Sequence, residues 1–266
     1  MSKARRWLGR NAIRIYAVIA FAYLFVPVAY TLAFSFNNSG KSNIAWRGFT
    51  LDKWKNPCGA PDVCPALGNS LKIGLLATLI ATVLGTMIAF ALARHRFRGR
   101  TATNLTIFLP MATPEVVLGA SLLALFLNLK INLGFNTIVI SHVMFCISFV
   151  VVTVKARIAG LDPRLEQAAM DLYADELQTF RRITLPLVAP GIAAGALLAF
   201  SLSFDDFIIT NFNSGSVNTF PKFIWVSSLR GIPAQANVIA SAMFFLALIA
   251  VLIGQAVTAG RKRQKA

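Results

Sequence analysis

The sequence predicts an all-α, polytopic membrane protein: one transmembrane domain, residues 1–266, crossing the bilayer six times. Three observations predict it. The chain is 56% apolar with a mean hydropathy of +0.66, which excludes an ordinary soluble domain and a disordered chain. Five windows, 15–40, 73–93, 131–154, 183–204 and 231–260, contain no Asp, Glu, Lys or Arg. Each exceeds the roughly 20 residues that a helix needs to cross the hydrocarbon layer. A sixth window, 101–129, is interrupted only by Glu115. Finally, the net charge of +16 flanks these windows instead of forming a face, which argues against nucleic acid and for topology.

The elements follow in order. Span one covers about 15–36, with Pro27 as an expected kink. It is longer than a signal-peptide core and lacks a small-residue cleavage site after it, so it is expected to be retained. The polar segment 37–68 holds Trp46, Trp54 and a Pro/Gly cluster, and reads as an outer loop. Cys58 and Cys64 leave two readings open there: a disulfide in an oxidising compartment, or two free thiols. Span two covers about 69–93 and span three about 104–127. Pro110 and Pro114 predict a broken helix in span three, tolerated where backbone lines protein or a water-filled cavity. Span four, about 135–155, carries His142 and Cys146, both read as packing residues, His142 with no evident partner. Span five, about 187–209, contains Gly191-x-x-x-Gly195, a pattern of close helix approach or a chance match in Ala/Gly-rich sequence. A second outer loop, 211–235, leads to span six at about 237–258.

Lys and Arg set the orientation. Eighteen of the 26 cluster at the N-terminus, after span two, between spans four and five, and in the tail. Cytoplasmic loops are the positive ones, so the chain is expected in the cytoplasmic membrane with both termini and the segment 156–186 on the cytoplasmic side.

That segment is the most informative in the chain. Asp162-Pro163 is a helix start, and Leu165, Ala168, Ala169 and Leu172 then fall on one apolar stripe. Glu166, Gln167 and Asp171 lie off it, and Asp175 with Gln178 starts a second short helix. The positions Gln167, Ala168, Ala169, Tyr173, Ile183, Leu185 and Pro186 match the spacing of the EAA loop, by which membrane subunits of ABC importers engage their ATPases. Five of the seven agree; Gln167 replaces Glu, with Glu166 beside it, and Tyr173 replaces Gly. Because Tyr does not take positive φ cheaply, the loop is expected to turn differently or to couple more weakly.

Together with Ala93–Gly99, Pro114–Phe126, Ser141–Val154 and Phe200–Phe207, this loop makes the chain resemble type I ABC importer permeases, and among them the polyamine permeases. The resemblance implies their fold and a transport subunit that is not an enzyme. It also implies a second permease, two cytoplasmic ATPases and an extracellular substrate-binding protein as partners. ATP and Mg would be held by the ATPases and no cofactor by this chain, which has no Gly-rich Lys motif of the Walker type. It makes Glu166, Gln167, Ala168, Ala169, Asp171, Leu172 and Tyr173 the coupling residues.

Ionisable residues at membrane depth are costly and functional by default. Glu115, deep in span three, and Asp205 and Asp206, near the outer end of span five, are the expected anionic stations for a cation. The alternative solutes are phosphate, sulfate, ferric iron or an oligosaccharide; the acids favour a cation over the anions. A secondary transporter should repeat its topology around interrupted helices, and no such repeat is found. An intramembrane protease should place two acids on two helices, whereas Asp205 and Asp206 are adjacent.

Overall fold

The computed structural model describes residues 3–40 and 42–263, with side chains for 11–40 and 42–254. The basic side chains of Lys3–Arg10 and of the tail, 261–265, on which orientation partly rests, lie outside the side chains described. Helices in chain order are α1 (Lys3–Phe34), α2 (Asp52–Lys55), α3 (Val63–Arg94), α4 (Arg100–Ala112), α5 (Glu115–Asn128), α6 (Phe135–Ala159), α7 (Arg164–Asp171) and α8 (Glu176–Thr179). A π-helical turn, Phe180–Thr184, joins α8 to α9 (Leu185–Asp205) and is followed by α10 (Ile208–Asn213), α11 (Phe220–Arg230) and α12 (Ala234–Arg263). Five segments among the described residues are long and apolar enough to cross a membrane: Asn11–Phe34, Val63–Arg94, Phe135–Ala159, Glu176–Asp205 and Ala234–Gly254. The sixth is the pair α4 and α5, which is bent by 108°. Pro114 forces the break, since it cannot donate to the helical ladder and drives Thr113 into extended backbone.

The chain forms two compact units. The first comprises the residues up to Cys64 and those from Ile224 onward. In it α1 lies against α12, and the apolar side chains Tyr16, Phe21, Tyr23 and Leu24 stay exposed, as on a helix solvated by lipid. Past α1 the chain is knotted down by a buried amide. The Nδ2 of Asn37 donates to Asn43 Oδ1 at 2.7 Å and to the Ala45 carbonyl at 2.8 Å, while the Arg47 amide donates to Asn37 Oδ1 at 2.7 Å. Asn43 Nδ2 returns to the Phe34 carbonyl at 2.7 Å and so satisfies one of the orphan acceptors at the end of α1. Cys58 and Cys64 are joined in a disulfide, which decides between the two readings left open above.

The second unit is Pro65–Phe223. Its centre is α6, apolar on every side and buried accordingly: Ile138, Cys146, Val150 and Val154 are fully enclosed. Helices α4 and α9 pack on it. Gly191 and Gly195 both face α6: a Cβ on Gly191 would come within 2.6 Å of Arg157 Cβ, and one on Gly195 within 3.6 Å of Val150. The Gly-x-x-x-Gly pattern therefore seats α9 on α6 within this chain.

Two boundaries differ from expectation. Span two begins earlier, at Val63, because Pro65 is tolerated in a first helical turn. Span five ends earlier, at Asp205 rather than 209, and the segment expected to be an outer loop holds α10 and α11.

Candidate functional site

The reason for that early end lies in Asp206. Its backbone is extended (φ −63°, ψ 124°), and its carboxylate accepts the amides of Ile209 at 3.3 Å and Thr210 at 2.8 Å. Those are the free donors of a new helix start, so the side chain ends α9 and begins α10. The same carboxylate lies 3.2 Å from His142 Nε2. His142 also has Thr210 Oγ1 at 3.0 Å from Nε2 and Ser203 Oγ at 2.7 Å from Nδ1. The side chains of His142 and Asp206 are 1% and 4% exposed. His142 is thus no mere packing residue: it joins α6, α9 and α10 through polar contacts that local sequence could not reveal.

The three acids come together. Glu115 opens α5 immediately after Pro114, at the corner where the span folds, rather than deep within a straight helix. It lies within electrostatic reach of Asp205 and Asp206. Glu115 and Asp205 are exposed on this unit, whereas Asp206 is buried. Helix α10 packs on α5, and Asn213 Nδ2 donates to the Gly119 carbonyl of α5 at 3.3 Å. The corner and the end of α9 are therefore held against one another. Phe204 stacks on Phe200, ring centroids 5.8 Å apart.

The segment 156–186 forms as its caps dictate. Asp162 Oδ1 accepts the Arg164 amide at 2.9 Å, and Asp175 Oδ1 accepts the Gln178 amide at 2.7 Å. Between them α7 closes in a Schellman turn: the Tyr173 amide donates to the Met170 carbonyl at 3.0 Å and the Ala174 amide to the Ala169 carbonyl at 3.1 Å. Tyr173 occupies the left-handed position with φ 64°. The expectation of a different turn is corrected: Tyr adopts the conformation that Gly would take, and the surrounding hydrogen bonds hold it there.

The residues expected to take part in coupling divide by face. Ala169 is buried at 6% exposure, and Glu166 turns inward, where it pairs with Arg94 of α3 and accepts from Thr184 Oγ1 at 2.6 Å. The hydrogen bond from the Arg94 guanidinium holds the Glu166 carboxyl below its ordinary range, against the opposing effect of burial. Gln167, Ala168, Asp171, Leu172 and Tyr173 face outward. Leu172 is 81% and Tyr173 98% exposed, with Leu177 beside them at 63%. The apolar stripe read from the sequence is therefore shared between a buried face, Ala169, and an exposed one, Leu165, Ala168 and Leu172. Beside the Arg94–Glu166 pair, Phe90, Met170 and Phe180 help to line a cleft of about 660 Å³.

Comparison with known proteins fits this architecture. Residues 81–263 match the family described as binding-protein-dependent transport system inner membrane component. The chain is 35% identical over 254 residues to the spermidine/putrescine transport system permease protein PotC of Haemophilus influenzae, covering 95% of this chain and 97% of that one. It is 36% identical over 249 residues to PotC of Escherichia coli K12, covering 93% and 94%. It is 35% identical over 233 residues to the putrescine transport system permease protein PotI of the same strain, covering 84% and 82%. Among solved structures, a bacterial ABC transporter that imports alginate superposes with a TM-score of 0.70 at 14% identity, covering 96% of this chain and 98% of that one. The MetNI methionine ABC transporter superposes at 0.61 with 13% identity, covering 73% and 94%. These last two carry the fold alone. The chain belongs to the binding-protein-dependent transport system inner membrane components: it is a multi-pass ABC importer permease, a transport subunit and not an enzyme.

Proposed function

We propose that this permease moves polyamines, the class of spermidine and putrescine, into the cell. The observation that carries the reading is the pair of exposed carboxylates, Glu115 at the corner of the broken span and Asp205 at the end of α9. A flexible polycation needs weak anionic stations rather than one deep well, because it must leave as readily as it enters. The names of the PotC and PotI relatives support the same substrate class.

The partners follow from the same reading. A second permease completes the path, two cytoplasmic ATPases hold ATP and Mg, and an extracellular binding protein delivers the substrate; this chain holds no cofactor. Both termini and segment 156–186 lie in the cytoplasm, in keeping with the Lys/Arg distribution. Leu172, Tyr173 and Leu177 form the patch that seats on an ATPase. Exposed aromatic and aliphatic groups off the membrane face mark protein contact, and a strained, fully exposed Tyr gains most from one.

The test is uptake by the complete importer in proteoliposomes with labelled putrescine, spermidine and an uncharged disaccharide. ATP-dependent uptake of the amines and not of the sugar is expected. Uptake of the sugar alone would overturn the polyamine reading.

A further inference from the structure

His142, Asp206, Ser203 and Thr210 form a closed polar cluster that the transport reading does not itself use. A carboxylate only accepts, so His142 Nε2 carries a hydrogen and points it at Asp206 and Thr210. The Ser203 hydroxyl completes the ring at Nδ1, as donor to a neutral imidazole or acceptor from an imidazolium. Asp206 thereby faces three nitrogen donors: His142 Nε2 and the amides of Ile209 and Thr210. Its side chain is 4% exposed, whereas Asp205, one residue earlier, is exposed. Two adjacent acids of the same chemistry have been given opposite fates.

We infer that His142 is a specificity-determining positioning residue: it withholds Asp206 from the transported cation, so that the path presents two carboxylates, Glu115 and Asp205, instead of three. This rests on the polyamine reading. The argument is one of access and satisfied valence. An ammonium can reach Glu115 and Asp205, but at Asp206 it would have to displace three donors that are already in place. Without the imidazole, Asp206 keeps the two amides of α10 and regains a free side on which a third ammonium can settle.

Two measurements test this on the assembled importer in membranes. The first is modification by a membrane-permeant carbodiimide, read by peptide mass mapping of the wild-type chain. Glu115 and Asp205 are expected to react and Asp206 to be spared; Asp206 reacting as fully as Asp205 would overturn the inference. The second is the ratio of spermidine to putrescine uptake, amines of three and two ammonium groups. His142→Asn is expected to expose Asp206 to the carbodiimide and to raise that ratio about fivefold, the effect of one further charge met at about 4 Å in a water-filled path. Adding Asp206→Asn should return the ratio to the wild-type value. If His142→Asn slows both amines equally at an unchanged ratio, the residue is only a structural prop and the inference fails. If the wild-type importer takes up neither amine, it is the polyamine reading that fails, while the labelling pattern still judges the shielding of Asp206.

Discussion

Glu166, in the first turn of α7, is bound at once to Arg94 in the last turn of α3 and to Thr184 Oγ1 in the π-helical turn before α9. One carboxylate thus ties the short helix α7 to two helices long and apolar enough to cross a membrane. Its neighbour Gln167, at the position where the EAA pattern has Glu, faces outward and has no charge to offer an ATPase. Movement of α7 is therefore expected to pass to α3 and α9 through Glu166, the residue beside the one in the pattern.

Breaking this tie should separate ATP hydrolysis from transport. Glu166→Gln is expected to lower the amine moved per ATP hydrolysed several-fold, with assembly intact. The exchanged pair Arg94→Glu/Glu166→Arg should recover part of it. The pair is half exposed on the Arg94 side, so its contribution to stability is small; the readout is the ratio of uptake to ATPase activity. An unchanged ratio in Glu166→Gln would remove the tie from the mechanism.

Acidification probes the same bond. Arg94 lowers the Glu166 pKa on folding, so in the window between the lowered folded value and about 4.3 the unfolded chain binds more protons and stability rises with pH. The stabilisation is fully present above about 4.3 and is lost as pH falls through the folded value. Thermal denaturation of the purified complex across that range should show this component in the wild type and lack it in Glu166→Gln. Identical pH profiles would count against it.

Tyr173→Gly should relieve the left-handed strain and stabilise the turn by about 1 kcal/mol. It also removes the exposed ring. Thermal stability of the isolated permease is expected to rise while affinity for the ATPase falls. Tyr173→Ala, which keeps the strain and loses the ring, should lower the affinity alone.

The division of the loop into two faces gives a paired test. Ala168→Glu places charge on the outer face and should abolish ATPase binding in an otherwise folded permease. Ala169→Glu buries an unpaired charge within the chain and should reduce the amount of folded protein. Equal behaviour of the two variants would refute the assignment of faces.

Topology is tested directly by reporter fusions. Those at Arg98, Arg157 and Ala266 are expected to read cytoplasmic, and those at Asp52 and Gly215 external. An external C-terminus would overturn the six-span arrangement.

The spans were legible because they rest on composition alone: a charge-free run of this length has only one backbone solution in hydrocarbon. The break at Pro114 was legible for a similar reason, since proline carries its own geometry, but the 108° angle was not, because packing of α10 on α5 accompanies it. Caps at Asp162 and Asp175 were readable, being local. The cap at Asp206 used the same local chemistry yet was hidden by the apolar Phe207-Ile208-Ile209 that follows it. His142 stayed unread because its partners Ser203 and Thr210 are 61 and 68 residues away. Glu166 and Arg94, 72 residues apart, were hidden in the same way. At Tyr173 the side chain argued against the conformation that the turn's hydrogen bonds impose.

The continuous segment from Glu176 to Asp205 has a mechanical consequence. At a rise of about 1.5 Å per residue it is a rod of about 45 Å, with Leu177 near one end and Asp205 at the other. Tilting such a rod by about 5° about its Leu177 end swings the far carboxylate by about 4 Å, more than the length of a hydrogen bond. On the proposed reading, a small rocking of the Leu177 end would be geared up into the difference between an ammonium held and an ammonium released.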